Sequence, residues 1–277
     1  MLVTYRRQVL PGFGISLGSS LFFTCLIILL PIGALLMQLS QMTLAQYWEV
    51  ITHPQVITAY KVTLISAGVA SLFNALFGML MAWILTRYHF PGRVLLDGLI
   101  DLPFALPTAV AGLTLTELFS VNGWYGHWLA HFGIKVSYTW LGIALAMAFT
   151  SVPFVIRTVQ PVLEELGPEY EEAAETLGAS QLQSFFRIIL PEVGPALLAG
   201  TVLSFTRSLG EFGAVIFIAG NIAWKTEVTS LMIFVRLQEY DYPAATAIAS
   251  VILIASLILL FMINILQGRF GRRIGGY

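Results

Sequence analysis

Six stretches of this chain, at about 16–39, 60–85, 95–119, 138–160, 195–219 and 246–267, stay apolar long enough to cross a bilayer as helices. That pattern leaves few folds open. Lipid offers no water to backbone N–H and C=O groups, so a spanning segment must satisfy them internally, which a helix does and an open strand does not. With 57% hydrophobic residues, 10% charged residues and a mean hydropathy of +0.83, the chain stands far from the roughly 25% charge of a soluble domain. The expectation is an all-α integral membrane protein, one transmembrane domain over residues 1–277 with about six helices and short connections.

Three spans carry marks beyond hydropathy. The first follows Arg6-Arg7 but exceeds a signal-peptide core and lacks a small-x-small site after it, so it reads as an uncleaved anchor. The third is interrupted by Asp101, Pro103 and Pro107 and carries Glu117 near its end, which predicts a kinked helix whose freed carbonyls face protein or water. The fifth follows Pro191 and Pro195 and holds Arg207 and Glu211, an opposite-charge pair four residues apart, spaced to meet on one helix face.

Several function classes fall away. A net charge of −1, with 14 basic residues scattered singly or in pairs, gives no nucleic-acid surface. The single cysteine, Cys25, permits no internal disulfide and no cysteine metal site. His127 and His131 are four apart, but Trp128-Leu129-Ala130 between them offers no glutamate of an H-E-x-x-H site, so no metal is expected. No P-loop and no paired catalytic spacing occurs, so catalytic residues are not expected and the chain does not read as an enzyme.

Basic residues give an orientation. With the N-terminus cytoplasmic, that side collects Arg6, Arg7, Arg87, Arg93, Arg157, Arg187, Arg269, Arg272 and Arg273, against Lys61, Lys135, Lys225 and Arg236 outside. Nine against four favours both termini inside.

Between the fourth and fifth spans lies a polar island, 164–194. Gly167-Pro168 offers an N-cap and a first-turn proline, and Glu169, Glu171 and Glu172 suit the positive end of a helix dipole. Tyr170, Ala173, Ala174 and Leu177 form a shallow stripe at helical spacing. Gly178 ends this first helix. Ser180 with Gln183 makes a capping box for a second, with Leu182, Phe185, Phe186 and Ile189 on its apolar face and Pro191 as its stop.

The residues Glu172-Ala173-Ala174, Gly178, Ile188 and Leu190-Pro191 resemble the EAA loop of bacterial ABC importer permeases. That resemblance implies the type I importer permease fold over about 58–267, with the seven residues just named gripped by an ATPase subunit. A second resemblance lies in Asp101-Leu102-Pro103-Phe104-Ala105-Leu106-Pro107-Thr108-Ala109-Val110-Ala111-Gly112 and in Ser204 to Ala214. These look like the oxyanion branch, which covers sulfate/thiosulfate and molybdate/tungstate importers, and overall likeness is to the T-type permease subunits of sulfate/thiosulfate importers. The implied partners are a sister permease in a heterodimer, two ATPase subunits that hold ATP and Mg, and a periplasmic sulfate/thiosulfate-binding protein; this chain itself is expected to bind no cofactor.

Two readings stand for Arg207 and Glu211: positive potential on an anion path, or a structural pair fastening span five. Asp97, Asp101 and Glu117 read as solvated or capping groups rather than a proton relay. Trp124, Tyr125, Trp128, Tyr138 and Trp140 fit an outer aromatic belt, and Val228 to Val235, too short to span, fits an interfacial or re-entrant helix. Two alternatives to the sulfate importer are a molybdate/tungstate permease of the same branch and an ion-gradient-driven anion carrier relaying through Arg207, Glu211 and the third-span carboxylates.

Overall fold

The computed structural model describes residues 13–274, apart from the side chains of residues 263, 264 and 266–274. Arg6 and Arg7 therefore lie outside the described residues, as do the side chains of Arg269, Arg272 and Arg273. Among the described residues the chain is helical, with five helices long and apolar enough to cross a membrane. The first, α1 (Phe13–Ser40), buries none of its residues and leans on the rest chiefly through its second half. A short helix, α2 (Leu44–Ile51), starts from a capping box between Thr43 and Gln46 and leads into α3 (Pro54–Arg87).

The centre is a trio. α3 packs along α8 (Trp140–Leu166) and against α10 (Gln181–Leu209). α3 and α8 run parallel: Asn74 meets Ala148 and Ser151, Gly78 meets Val155, and Arg87 meets Leu163. α10 runs back against both, with Phe185 beside Trp83 at one end and Ser204 beside Ser151 further along. Small residues permit this closeness. A Cβ on Gly78 would stand 2.8 Å from Val155 Cγ1, and one on Gly200 would stand 2.9 Å from Val155 Cα. Without a hydrophobic drive between helices in lipid, such close backbone approach and interhelical hydrogen bonds supply the adhesion. Around this trio the outer face of α3 stays apolar and uncovered, with Leu64, Leu72, Phe73, Leu76 and Leu80 exposed, as a lipid-facing surface requires.

The third apolar stretch is not one kinked helix. It is three pieces, α4 (Arg93–Ile100), α5 (Leu102–Ala105) and α6 (Thr108–Phe119), broken at Asp101 and again at Leu106-Pro107. Leu106 is extended, because a residue before proline is pushed out of the helical region. After α6 the chain folds back as α7 (Trp124–Ala130), whose Trp124, Tyr125 and Trp128 are exposed.

The fifth stretch also departs from 195–219. Its helix begins in the island, at Gln181, and continues through Pro191 and Pro195 to Leu209, so Pro191 is no stop. A π-helical turn at Phe185–Ile189 explains the continuity: Leu190 N–H reaches Phe185 O, five residues back, just before the proline that lacks an N–H. The same device precedes Pro31, where a π-turn spans Cys25–Leu29. Beyond Leu209 the helix is interrupted at Gly210 to Ala214, and a short helix, α11 (Val215–Ile218), follows. The segment expected to be interfacial or re-entrant holds α12 (Thr229–Gln238), with Thr229, Leu231 and Met232 buried and Thr63 and Thr229 hydroxyls 2.9 Å apart. α13 (Tyr242–Ile274) closes the chain against α12, α10 and α1.

Candidate functional site

The polar island folds as an elbow at the end of the bundle. Its first helix, α9 (Glu169–Thr176), carries Glu169, Glu171 and Glu172 in its first turn. The expected N-cap moves by one residue: Pro168 holds that position, its carbonyl accepting from Glu171 and Glu172, while Gly167, at φ +64°, terminates α8 instead. Gly178 has φ +84°, and around it Ala179 N–H donates to Ala174 O at 3.0 Å and Gly178 N–H to Glu175 O at 2.9 Å. Those two bonds are a Schellman closure, which needs a left-handed residue where the sequence supplies glycine. Ser180 and Gln183 then cap each other reciprocally and start α10.

Of the residues expected to meet another subunit, Glu172, Ala173, Gly178 and Pro191 are exposed, and Ile188 and Leu190 are half-buried. Ala174 is turned inward, 5% exposed, which removes it from the accessible stripe. Leu177 is 89% exposed and Tyr170, Leu182 and Phe186 are also open, so the tip of the elbow presents apolar side chains that the chain itself leaves uncovered.

Arg87, which in the sequence bears only on orientation, is central here. From the last turn of α3 its Nε donates to Glu171 Oε1 at 2.7 Å, Nη1 to Leu163 O at 3.0 Å and Nη2 to Gly167 O at 3.0 Å. The guanidinium carbon lies 5.6 Å from the Trp83 ring centre, and Trp83 meets Phe185 edge to face at 5.4 Å. Helix ends leave carbonyls without partners, and Arg87 satisfies two of them at the end of α8 while holding the elbow's carboxylate. Its partners are 76 to 84 residues away, which no local pattern reveals.

A second guanidinium fastens the broken stretch. Arg157 of α8 donates through Nε and Nη2 to the two oxygens of Asp101 at 2.9 and 2.7 Å, and through Nη1 to Asp97 Oδ1 at 2.7 Å. Asp97 and Asp101 are thus engaged as structural partners that pin the α4–α5 junction to α8.

At mid-depth two helix interruptions face each other. Ser208 lies 3.2 Å from Ser151, near the middle of α8, so α10 ends halfway through the bundle. The interruption at Gly210 to Ala214 meets the start of α6: Gly112 packs on Ala214, and Gly213 packs on Thr108. Glu211 therefore stands beyond the helix end rather than on one helix face with Arg207, yet the two still pair, Nη1 to Oε2, at 2.7 Å. The Glu211 side chain is 1% exposed; its Oε1 also accepts from Ala214 N–H at 3.1 Å, and its backbone carbonyl accepts from Ser230 at 2.7 Å. The Arg207 side chain remains 35% exposed. Close by, buried Asn74 reaches Ala148 O, Ser151 Oγ and Ser204 Oγ at 3.1, 2.9 and 3.0 Å, a polar knot through all three central helices.

Comparison with known proteins places these features. Residues 74–276 match the family of binding-protein-dependent transport system inner membrane components. Over its full 277 residues and the whole relative, the chain is 77% identical to the sulfate transport system permease protein CysT of Escherichia coli K12, and 76% identical to that of Salmonella typhimurium LT2. Its fold matches a chain of a bacterial alginate ABC transporter in complex with an alginate pentasaccharide-bound periplasmic protein, with a TM-score of 0.75 at 22% identity, covering 92% of this chain and 93% of that one. This protein is a multi-pass inner membrane protein and belongs to the family of binding-protein-dependent transport system inner membrane components.

Proposed function

We propose that this chain is the membrane-spanning permease subunit of an ATP-driven, binding-protein-dependent sulfate/thiosulfate importer. The observation that carries the reading is the elbow: a doubly capped, uncovered tip that continues without a break into α10, a helix about 43 Å long that ends at the mid-depth interruption. A part built this way moves as a rigid lever. The relatives named as sulfate transport permeases, at 77% and 76% identity over their whole length, support the substrate.

In this reading 164–194 is the coupling loop within a permease core of about 58–267, and the elbow and both termini lie in the cytoplasm. Arg87, Arg93, Arg157 and Arg187 support that orientation, since all sit toward the elbow end of the bundle. Glu172, Ala173, Gly178, Ile188, Leu190 and Pro191 meet an ATPase subunit. Two such subunits hold ATP and Mg, because this sequence has no P-loop of its own. Closure of the ATPase pair displaces the elbow, α10 follows, and the interruption at Gly210 to Ala214 takes up the movement.

Arg207 sets which face of the bundle turns inward. A guanidinium 35% exposed at mid-depth is costly against lipid, by about 2.5–3.5 kcal/mol on insertion scales. The Arg207 face is therefore turned toward a sister permease and the path between the two, where a periplasmic sulfate/thiosulfate-binding protein delivers the anion. Glu211, buried and held by two further bonds, acts as the fastening member of the pair. An ion-gradient carrier gains nothing from this geometry, since Asp97 and Asp101 are tied to Arg157 and Glu211 to Arg207.

The test is uptake of labelled sulfate by the complex in proteoliposomes, with and without binding protein and ATP. Uptake should require both and resist a molar excess of molybdate. Uptake that persists without ATP under an ion gradient overturns the importer reading, and uptake of molybdate in place of sulfate moves the substrate within the branch.

A further inference from the structure

We infer that Arg87 is the positioning residue that makes the elbow move as one body with the bundle. The inference rests on the coupling role proposed for the elbow and names the contact through which the displacement passes. Its starting point is how little else holds α9. The backbone neighbours of α9 are chiefly the start of α10 and its π-turn. Its link to α8 is the pair Gly167-Pro168, with Gly167 at φ +64°. A glycine at a helix end is the natural place for a hinge to absorb motion that should be transmitted.

One side chain blocks that hinge. Arg87 grips both sides of it, Leu163 O and Gly167 O on the α8 side and Glu171 on the α9 side, with three donors of one planar group. The fork geometry fixes direction as well as distance, which a lysine ammonium on a flexible stem does not. The group is also well shielded, 12% exposed against 24% for Glu171, so water competes weakly for its bonds. Trp83 carries the guanidinium on one side and touches Phe185 of the π-turn on the other, so the clamp reaches both helices of the elbow from a single turn of α3.

The path continues inward along α8. Arg157, six residues before Leu163, holds Asp97 and Asp101 at the α4–α5 junction. From there α5 and α6 lead to Gly112, packed on Ala214 at the interruption that ends α10. Elbow displacement thus reaches the mid-depth interruption by two routes, directly along α10 and through Arg87, α8 and Arg157. With the Arg87 clamp open, only the first remains.

The experiment uses the full complex in lipid nanodiscs and proteoliposomes, with Arg87→Gln, Arg87→Lys and the gentler Glu171→Gln. Arg87→Gln should leave the ATPase subunits co-purifying and hydrolysing ATP while sulfate uptake per ATP falls about tenfold, as loss of charge-assisted bonds implies. Arg87→Lys and Glu171→Gln should fall in between. A second readout does not depend on substrate. Spin labels at Leu177→Cys on the elbow and Leu80→Cys on α3, in a Cys25→Ser background, should give a narrow distance distribution that broadens in Arg87→Gln. If the complex transports no sulfate at all but the distribution broadens, the clamp stands and the substrate reading falls. If Arg87→Gln keeps both the narrow distribution and wild-type uptake per ATP, or if it abolishes ATPase co-purification altogether, the inference is overturned.

Discussion

Gly112 and Ala214 lie in such close contact that a Cβ on Gly112 would stand 2.7 Å from the Cα of Ala214. Two sequence segments that each resembled the oxyanion branch, 101–112 and 204–214, are thereby brought onto one another at mid-depth. Gly112→Ala should push α6 off the interruption and cost about 1–3 kcal/mol, the range for overpacking a tight interior. The thermal midpoint of the purified chain should fall, and membrane insertion should not change.

Asn74 ties α3 to α8 and α10 with an amide that is wholly buried. Interhelical hydrogen bonds in membranes average about 0.6 kcal/mol and reach about 1.7. Replacing Asn74 by Ala removes three contacts at once, while Ser204 still donates to Ser151 and Ser151 to Met147 O. The expected loss is about 1–3 kcal/mol, read as a lower denaturation midpoint in detergent. Asn74→Asp should be worse than Asn74→Ala, because it adds a buried charge with no cation beside it.

Arg207 and Glu211 should behave non-additively. Arg207→Gln leaves the Glu211 carboxylate 1% exposed without its cation, a loss of about 3–5 kcal/mol for a broken buried pair. Glu211→Gln alone frees an arginine that is already partly open, and should cost less. The double variant should be more stable than Arg207→Gln, and a double-mutant cycle on thermal stability measures the coupling. Additive effects would mean that the two side chains do not hold each other.

Gly178 sits at φ +84° inside the Schellman closure. A β-branched residue there is strained by about 1–3 kcal/mol. Gly178→Val should distort the tip and abolish ATPase co-purification while the chain still inserts. Gly178→Asn, which tolerates left-handed backbone, should retain most of it. Equal loss in both variants would point to the Cβ itself clashing with the partner rather than to backbone strain.

Much of the architecture is written in local pattern. Hydropathy places the first, second, fourth and sixth spans, because burial in lipid acts on each stretch of some 20 residues by itself. The capping box at Ser180 and Gln183 and the helix stop at Gly178 follow from residues within five positions of each other. Prolines were less legible. Pro191 reads as a stop, yet a π-turn carries the helix past it, whereas Pro107 does stand at a true break. The difference lies in whether the turn before the proline can widen against its neighbours, which the proline alone does not reveal.

The sequence by itself determined the solvent, the helical class, the elbow and its caps, since each depends on composition or on spacing within a few turns. Only the tertiary structure decided that Arg87 clamps the elbow, that Arg157 gathers Asp97 and Asp101, and that the two interruptions meet at Gly112 and Ala214. These contacts join residues from about 55 to over 100 positions apart. They exist because α3 and α8 run parallel with α10 returning against both, and the packing of three helices fixes which distant charges and glycines come within reach.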